Sequence, residues 1–153
     1  MRNSKCGHYL NMSAGQTPIE PYVLAALAET VDTPIYYPEF WKVKHQAIEL
    51  LKQFMHTSHE VLLLTGTATY GLEAVLKSAF EPGDKIIVIN SGLFGQLLVD
   101  LIRITGLEAL EIKVPYGKAL NPSQVDTLIR KESKAKAVAL CHVDTSVGLS
   151  LIH

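Results

Sequence analysis

From Phe40 to Phe54 the apolar residues Phe40, Val43, Ala47, Leu50, Leu51 and Phe54 recur at helical spacing, with Lys42, Lys44, Glu49 and Lys52 on the other face. This spacing predicts a long amphipathic helix. Ahead of it, Pro18 and Pro21 precede the apolar run Val23 to Ala28, a short helix that Thr33-Pro34 should end. Beyond Phe54 the pattern changes. Short β-type runs at Val61–Leu64, Lys85–Asn90, Leu110–Val114 and Ala137–Cys141 are separated by helical patterns around Leu72–Phe80, Phe94–Ile104 and Pro122–Arg130. Such alternation predicts βαβ crossovers and a mostly parallel sheet with helices on both faces, a three-layer α/β/α fold.

Turn chemistry agrees with these boundaries. Pro82-Gly83-Asp84 separates helix from strand, Gly106 stands where a helix C′ glycine would, and Asn121-Pro122 reads as an N-cap followed by proline at N1. Leu110, Ile112 and Val114 alternate with Glu111 and Lys113, which places that strand near a sheet edge. A parallel sheet needs cover on both faces, yet no helical pattern follows the strand ending at Cys141. The chain is therefore expected to be the front part of a longer protein: an N-terminal segment and long helix over residues 1–60, then strand and helix units over 61–153, within one large domain.

Composition narrows the function. The 14 Lys and Arg balance 15 Asp and Glu, a net charge of −1, and no block of like charge supplies the basic face that a phosphate backbone needs, so nucleic acid is not expected as a partner. No apolar run approaches the length of a membrane span. Cys6 and Cys141 form no CxxC pair, and Met1 to Leu10 lacks an apolar signal region, so the expected location is the reducing cytoplasm. His45, His56 and His59 give no paired metal ligands or triad order.

In open α/β sheets ligands bind beyond the carboxyl ends of the strands, which directs attention to three loops. Thr65-Gly66-Thr67-Ala68-Thr69-Tyr70-Gly71 is rich in hydroxyls and enters a helix, so it reads either as a phosphate cradle or as an ordinary N-cap by Thr67 or Thr69. It lacks both GxGxxG and a Gly-Lys-Ser/Thr ending, which removes the dehydrogenase and kinase readings. In Asn90-Ser91-Gly92-Leu93-Phe94-Gly95-Gln96, glycines flank an aromatic at a helix start. Phe94 is then either a core ring or a face offered to a flat ligand. His142-Val143-Asp144-Thr145-Ser146-Val147-Gly148 is either a polar ligand loop or a turn capped by Asp, Thr and Ser.

In order and together, these segments resemble the class V aminotransferases of the fold type I pyridoxal 5′-phosphate enzymes, the group of alanine–glyoxylate, serine–pyruvate and 2-aminoethylphosphonate transaminases. Ser13-Ala14-Gly15-Gln16-Thr17-Pro18 is similar to the family's Gly-Pro-Thr-Pro segment, and Leu64 to Thr69 with Leu72-Glu73-Ala74 to its Gly-Ser-Gly-Thr loop and the helix behind it. Pro82-Gly83-Asp84-Lys85, Gly92-Leu93-Phe94-Gly95 and His142 to Gly148 resemble its turn, its ring-stacking segment and its His-x-Glu-Thr-Ser-Thr-Gly. Ala68 for Gly, Val147 for a hydroxyl residue and Leu151 for Pro are departures.

The resemblance implies pyridoxal phosphate as cofactor, with Thr67, Ala68 and Thr69 on the phosphate, Phe94 stacked on the pyridine ring, and Thr145 or Ser146 bonded to ring substituents. It also implies small amino and 2-oxo acid substrates, a homodimer, and a Schiff-base lysine and pyridine-binding aspartate beyond His153, which would leave these 153 residues inactive alone. Within the family, alanine–glyoxylate or serine–pyruvate chemistry ranks first. Val114-Pro115-Tyr116 and Cys141 to Thr145 are also similar to pyridoxamine–pyruvate transaminase, a subgroup that carries an acidic residue at the position of Thr67. A non-catalytic fragment or binding module is the alternative from another class.

Overall fold

The computed structural model describes residues 18–29, 35–118 and 120–150, which divide into two compact units, Pro18–Gly66 and the residues from Thr67 on. Residues 13–17 of the early motif, the Thr33-Pro34 stop and Leu151 lie outside the described residues.

The first unit holds α1 (Pro21–Ala28) and α2 (Pro38–Phe54). Each begins with proline in its first turn, where the missing N–H costs nothing and φ is already helical. This is why α2 starts ahead of its first apolar residue, Phe40. Trp41 donates its indole N–H to the Ile35 carbonyl at 2.8 Å, and the Lys44 ammonium lies 4.7 Å from the Trp41 ring centroid. Val61–Leu64, expected as a strand, is not one. β-Structure requires a neighbouring strand for its N–H and C=O groups, and among its described residues this unit contains only helices.

The second unit is the α/β body. It runs α3 (Ala68–Ala79), β1 (Lys85–Asn90), α4 (Leu93–Ile104), β2 (Glu108–Lys113), α5 (Pro122–Lys131) and β3 (Ala135–Leu140), followed by a short antiparallel pair, β4 (Val143–Asp144) and β5 (Leu149–Ser150). The main sheet has the order β2-β1-β3, all parallel, with Ile87 opposite both Leu110 and Val138. β1 is central and buried on both faces, as its unbroken Ile-Ile-Val-Ile run requires. Ile86 and Val88 form one core with Leu76 of α3, Leu98, Val99 and Ile102 of α4, and Leu107. On the other face lies α5, which buries no residue, its Leu128 and Ile129 bordering open clefts with Ile112, Ile87 and Val138.

The turns behave as their residues dictate. Gly83 takes φ +87° in a turn closed by the Asp84 N–H on the Glu81 carbonyl at 3.0 Å. Gly106 takes φ +84° as the C′ residue of α4, donating to the Arg103 carbonyl while Leu107 N–H reaches Ile102, the paired bonds of a Schellman motif. Asn121 caps α5 by accepting from the Ser123 N–H at 3.1 Å. β2 lies at a sheet edge as expected. Its alternation is blurred because the Glu111 carboxylate turns in, accepting from the Asn90 amide at 2.8 Å and from Arg103 at 3.4 Å.

Candidate functional site

The carboxyl end of β1 leads through Ser91 and Gly92 directly into α4. Gly92, the N-cap, offers no side chain to the first free N–H groups of the helix. The cap comes instead from Asp144 of β4, 52 residues further along the sequence. Its Oδ2 accepts from the Phe94 N–H at 3.0 Å and the Gly95 N–H at 3.2 Å. Ser146 completes the arrangement: its hydroxyl accepts from the Leu93 N–H at 3.0 Å, while its own N–H and hydroxyl donate to Asp144 Oδ1. Gly92 is required by contact and not by conformation. A Cβ there would stand 2.3 Å from Asp144 Oδ2, so any side chain would displace the carboxylate. Gly95 likewise lies against β1, where a Cβ would come 3.0 Å from Asn90 Cα.

Asp144 is buried, with only 1% of its surface exposed. Burial opposes its charge, yet the hydrogen bonds from the Ser146 hydroxyl and from the Gly95, Ser146 and Phe94 amides outweigh it and hold the carboxyl below its ordinary pKa. The adjacent Cys141 thiol moves the other way. It is raised by burial first and by the Asp144 charge second, and the thiol donates to the Val143 carbonyl at 3.2 Å.

The two helix N-termini thus differ. That of α4 is closed, its Leu93, Phe94 and Gly95 N–H groups all bonded to protein. That of α3 is open: Thr67 is the N-cap and accepts from the Tyr70 N–H at 3.3 Å, while the Ala68 and Thr69 N–H groups have no protein partner among the described residues. Thr67, Ala68, Thr69 and Tyr70 are all exposed. The Thr67 oxygen accepts from Tyr70, so its hydroxyl proton is left to donate outward, beside the positive end of a 12-residue helix. The residues present therefore fit an anionic group at α3, and an anion at α4 would meet the Asp144 carboxylate.

The other expected site residues fall as follows. The Phe94 side chain is 44% exposed and no part of the core, although its backbone N–H is bound to a buried carboxylate. Thr145 is half-buried between Asp144 and Ser146. Ser146 spends its hydroxyl on Asp144 and α4. The Asp-Thr-Ser turn expected from the sequence is present, since Asp144 accepts from the Ser146 N–H at 3.1 Å, and the Asp144 carboxylate reaches beyond this turn to α4. A signal existed: a helix opening Gly-Leu-Phe-Gly has no capping side chain of its own, so the cap must come from elsewhere. Lys85 is at the amino end of β1, paired with Glu108 at 3.4 Å and Glu132 at 3.7 Å. Among the described residues no group of three or more potential metal ligands occurs, and no helix is long and apolar enough to cross a membrane.

A parallel three-layer body with its polar loops at the strand carboxyl ends is that of an α/β protein that takes ligands at that edge. The profile of the aminotransferase class-V family matches residues 36–152, and the chain belongs to that family. It is 29% identical over 139 residues to the pyridoxamine–pyruvate transaminase of Mesorhizobium japonicum, an alignment covering 91% of this chain and 35% of that protein. The crystal structure of ureidoglycine–glyoxylate aminotransferase from Bacillus subtilis superimposes with a TM-score of 0.85 at 28% identity, over 91% of this chain and 36% of that one. That of alanine–glyoxylate aminotransferase from Nostoc sp. gives 0.77 at 26%, over 92% and 40%. The chain thus spans about a third of the length of the relatives it matches.

Proposed function

We propose that this chain carries the phosphate-binding and ring-facing part of the cofactor site of a pyridoxal phosphate-dependent transaminase. The full-length protein would move an amino group between an amino acid or amine and a 2-oxo acid. The observation that carries the reading is the open N-terminus of α3, with two N–H groups that have no partner among the described residues, flanked by the Thr67 and Thr69 hydroxyls in a class-V aminotransferase chain. Thr67, Ala68 and Thr69 would hold the phosphate, through amide and hydroxyl donors at the positive end of a helix. Phe94 would lie against the pyridine ring, and Thr145 would meet the ring's polar edge. Ser146 would act there with one remaining lone pair, since its proton is given to Asp144. When bound, pyridoxal phosphate supplies an aldehyde that takes up the amine and an electron-withdrawing ring.

Glyoxylate or pyruvate is the proposed acceptor, a reading supported by the ureidoglycine–glyoxylate and alanine–glyoxylate relatives. Free pyridoxamine as substrate is the rival that the Mesorhizobium relative raises. An unphosphorylated vitamer would leave the donors of α3 without an anion, which favours the first reading. We also propose a homodimer. It is supported by α2, whose Val43, Leu50 and Phe54 are 62%, 65% and 78% exposed. Sedimentation of the full-length protein should give a dimer that Leu50→Lys weakens, and a monomer at all concentrations would refute this.

The activity is tested by incubating the full-length protein with pyridoxal phosphate, glyoxylate or pyruvate and a panel of amino donors, and by measuring amino acid formed. Turnover with amino acids supports the proposal. Turnover confined to free pyridoxamine and pyruvate would replace it with the rival, and no turnover with either set would remove both.

A further inference from the structure

From the geometry around α4 we infer that Asp144 is a positioning residue, one that fixes Phe94 and the Thr145-Ser146 turn in a set mutual arrangement before any cofactor arrives. The inference rests on the functional reading above, in which both segments face the cofactor. Three observations carry it. The Asp144 carboxylate is bonded to the backbone N–H of the ring-bearing residue itself and, through its other oxygen, to Ser146. It is buried, so it acts through these neighbours and not by touching a ligand. Gly92 leaves the space it occupies, so the two positions form one device.

Asp144 takes the Phe94 and Gly95 donors and Ser146 the Leu93 donor, which prevents α4 from drawing an anion to its own N-terminus and leaves the α3 terminus as the open one. It also ties the first turn of α4 to a segment some 50 residues away, so that the Phe94 backbone does not move independently of Thr145. Positions so tied are held without cost at the moment of binding, whereas a shift of about 1 Å in a positioning element is enough to lose much of a site's effectiveness.

The test uses full-length protein carrying Asp144→Asn, Gly92→Ala or both. Asparagine keeps the shape and one acceptor oxygen but sets an NH2 among donors. Pyridoxal phosphate affinity should fall by roughly ten- to a hundredfold in each single variant, as expected for loss of a charged hydrogen-bond acceptor. The visible circular dichroism of the bound cofactor should change as well, because the ring has lost its fixed seat. In cofactor-free protein, hydrogen exchange should accelerate at Phe94 and Gly95 while Val99 to Ile102 stay protected. The double variant should be no worse than Gly92→Ala alone, since the alanine methyl already pushes the side chain at 144, acid or amide, away from the α4 amides.

A merely structural Asp144 would lower the melting temperature with affinity and dichroism unchanged, and that result would overturn the proposal. Additive effects of the two substitutions would overturn it too. Failure of the wild-type protein to bind pyridoxal phosphate would remove the functional reading and this role with it. Wild-type binding that Asp144→Asn retains in full removes the role alone.

Discussion

The buried carboxylate of Asp144 makes a pH signature. Its pKa lies below the ordinary value in the folded protein, so the unfolded chain takes up this proton first as pH falls. The stability it contributes is complete above the ordinary carboxylate range and is lost as pH drops through the lowered native value. Urea titrations between about pH 5 and pH 2 should show wild type losing more stability than Asp144→Asn over that window. Equal losses would mean that the carboxyl titrates alike in both states. Cys141 reports the same charge independently. Its thiol is raised partly by Asp144, so Asp144→Asn should shift the alkylation profile of Cys141 to lower pH, read by mass mapping of the labelled peptide. Phe94 behaves differently from either. Its ring is exposed, so Phe94→Ala should leave the cofactor-free melting temperature nearly unchanged while weakening cofactor retention by on the order of 1–3 kcal/mol. A large fall in melting temperature with unchanged affinity would make it a core residue.

Among the elements, α4 is the most strongly determined, closed at one end by Asp144 and at the other by the Gly106 Schellman motif, whose Leu107 enters the core. Gly106→Ala forces a side chain into φ +84° and should cost about 1–2 kcal/mol by chemical denaturation. An unchanged midpoint would show that the helix end relaxes. Much of this was legible in the sequence. The Lys85–Asn90 strand, the proline and asparagine start of α5, the edge position of β2 and the glycine stop of α4 each rest on short-range chemistry that a few neighbouring residues settle. Two features were not legible. Val61–Leu64 has the composition of a strand but finds no strand to pair with among the described residues of its unit, and pairing is not a local property. Asp144 could be read as a turn residue, but its real partners are amides 49 and 50 positions away.

Across the α/β body, the polar groups are divided between a closed helix terminus and an open one, and this division is what the cofactor reading turns on. The Thr67 hydroxyl and the Ala68 and Thr69 amides would recognise the phosphate, not the ring, so the vitamers with and without phosphate separate the α3 cradle from every other contact. The most direct measurement is the affinity of full-length wild-type protein and Thr67→Glu for pyridoxal phosphate and for pyridoxal, by equilibrium titration at fixed ionic strength. Glutamate adds a negative charge beside the phosphate and removes the threonine hydroxyl donor. Wild type should prefer pyridoxal phosphate strongly and Thr67→Glu should lose most of that preference while keeping its affinity for pyridoxal; equal affinity of wild type for the two vitamers, or equal losses for both in the variant, would contradict a phosphate cradle at α3.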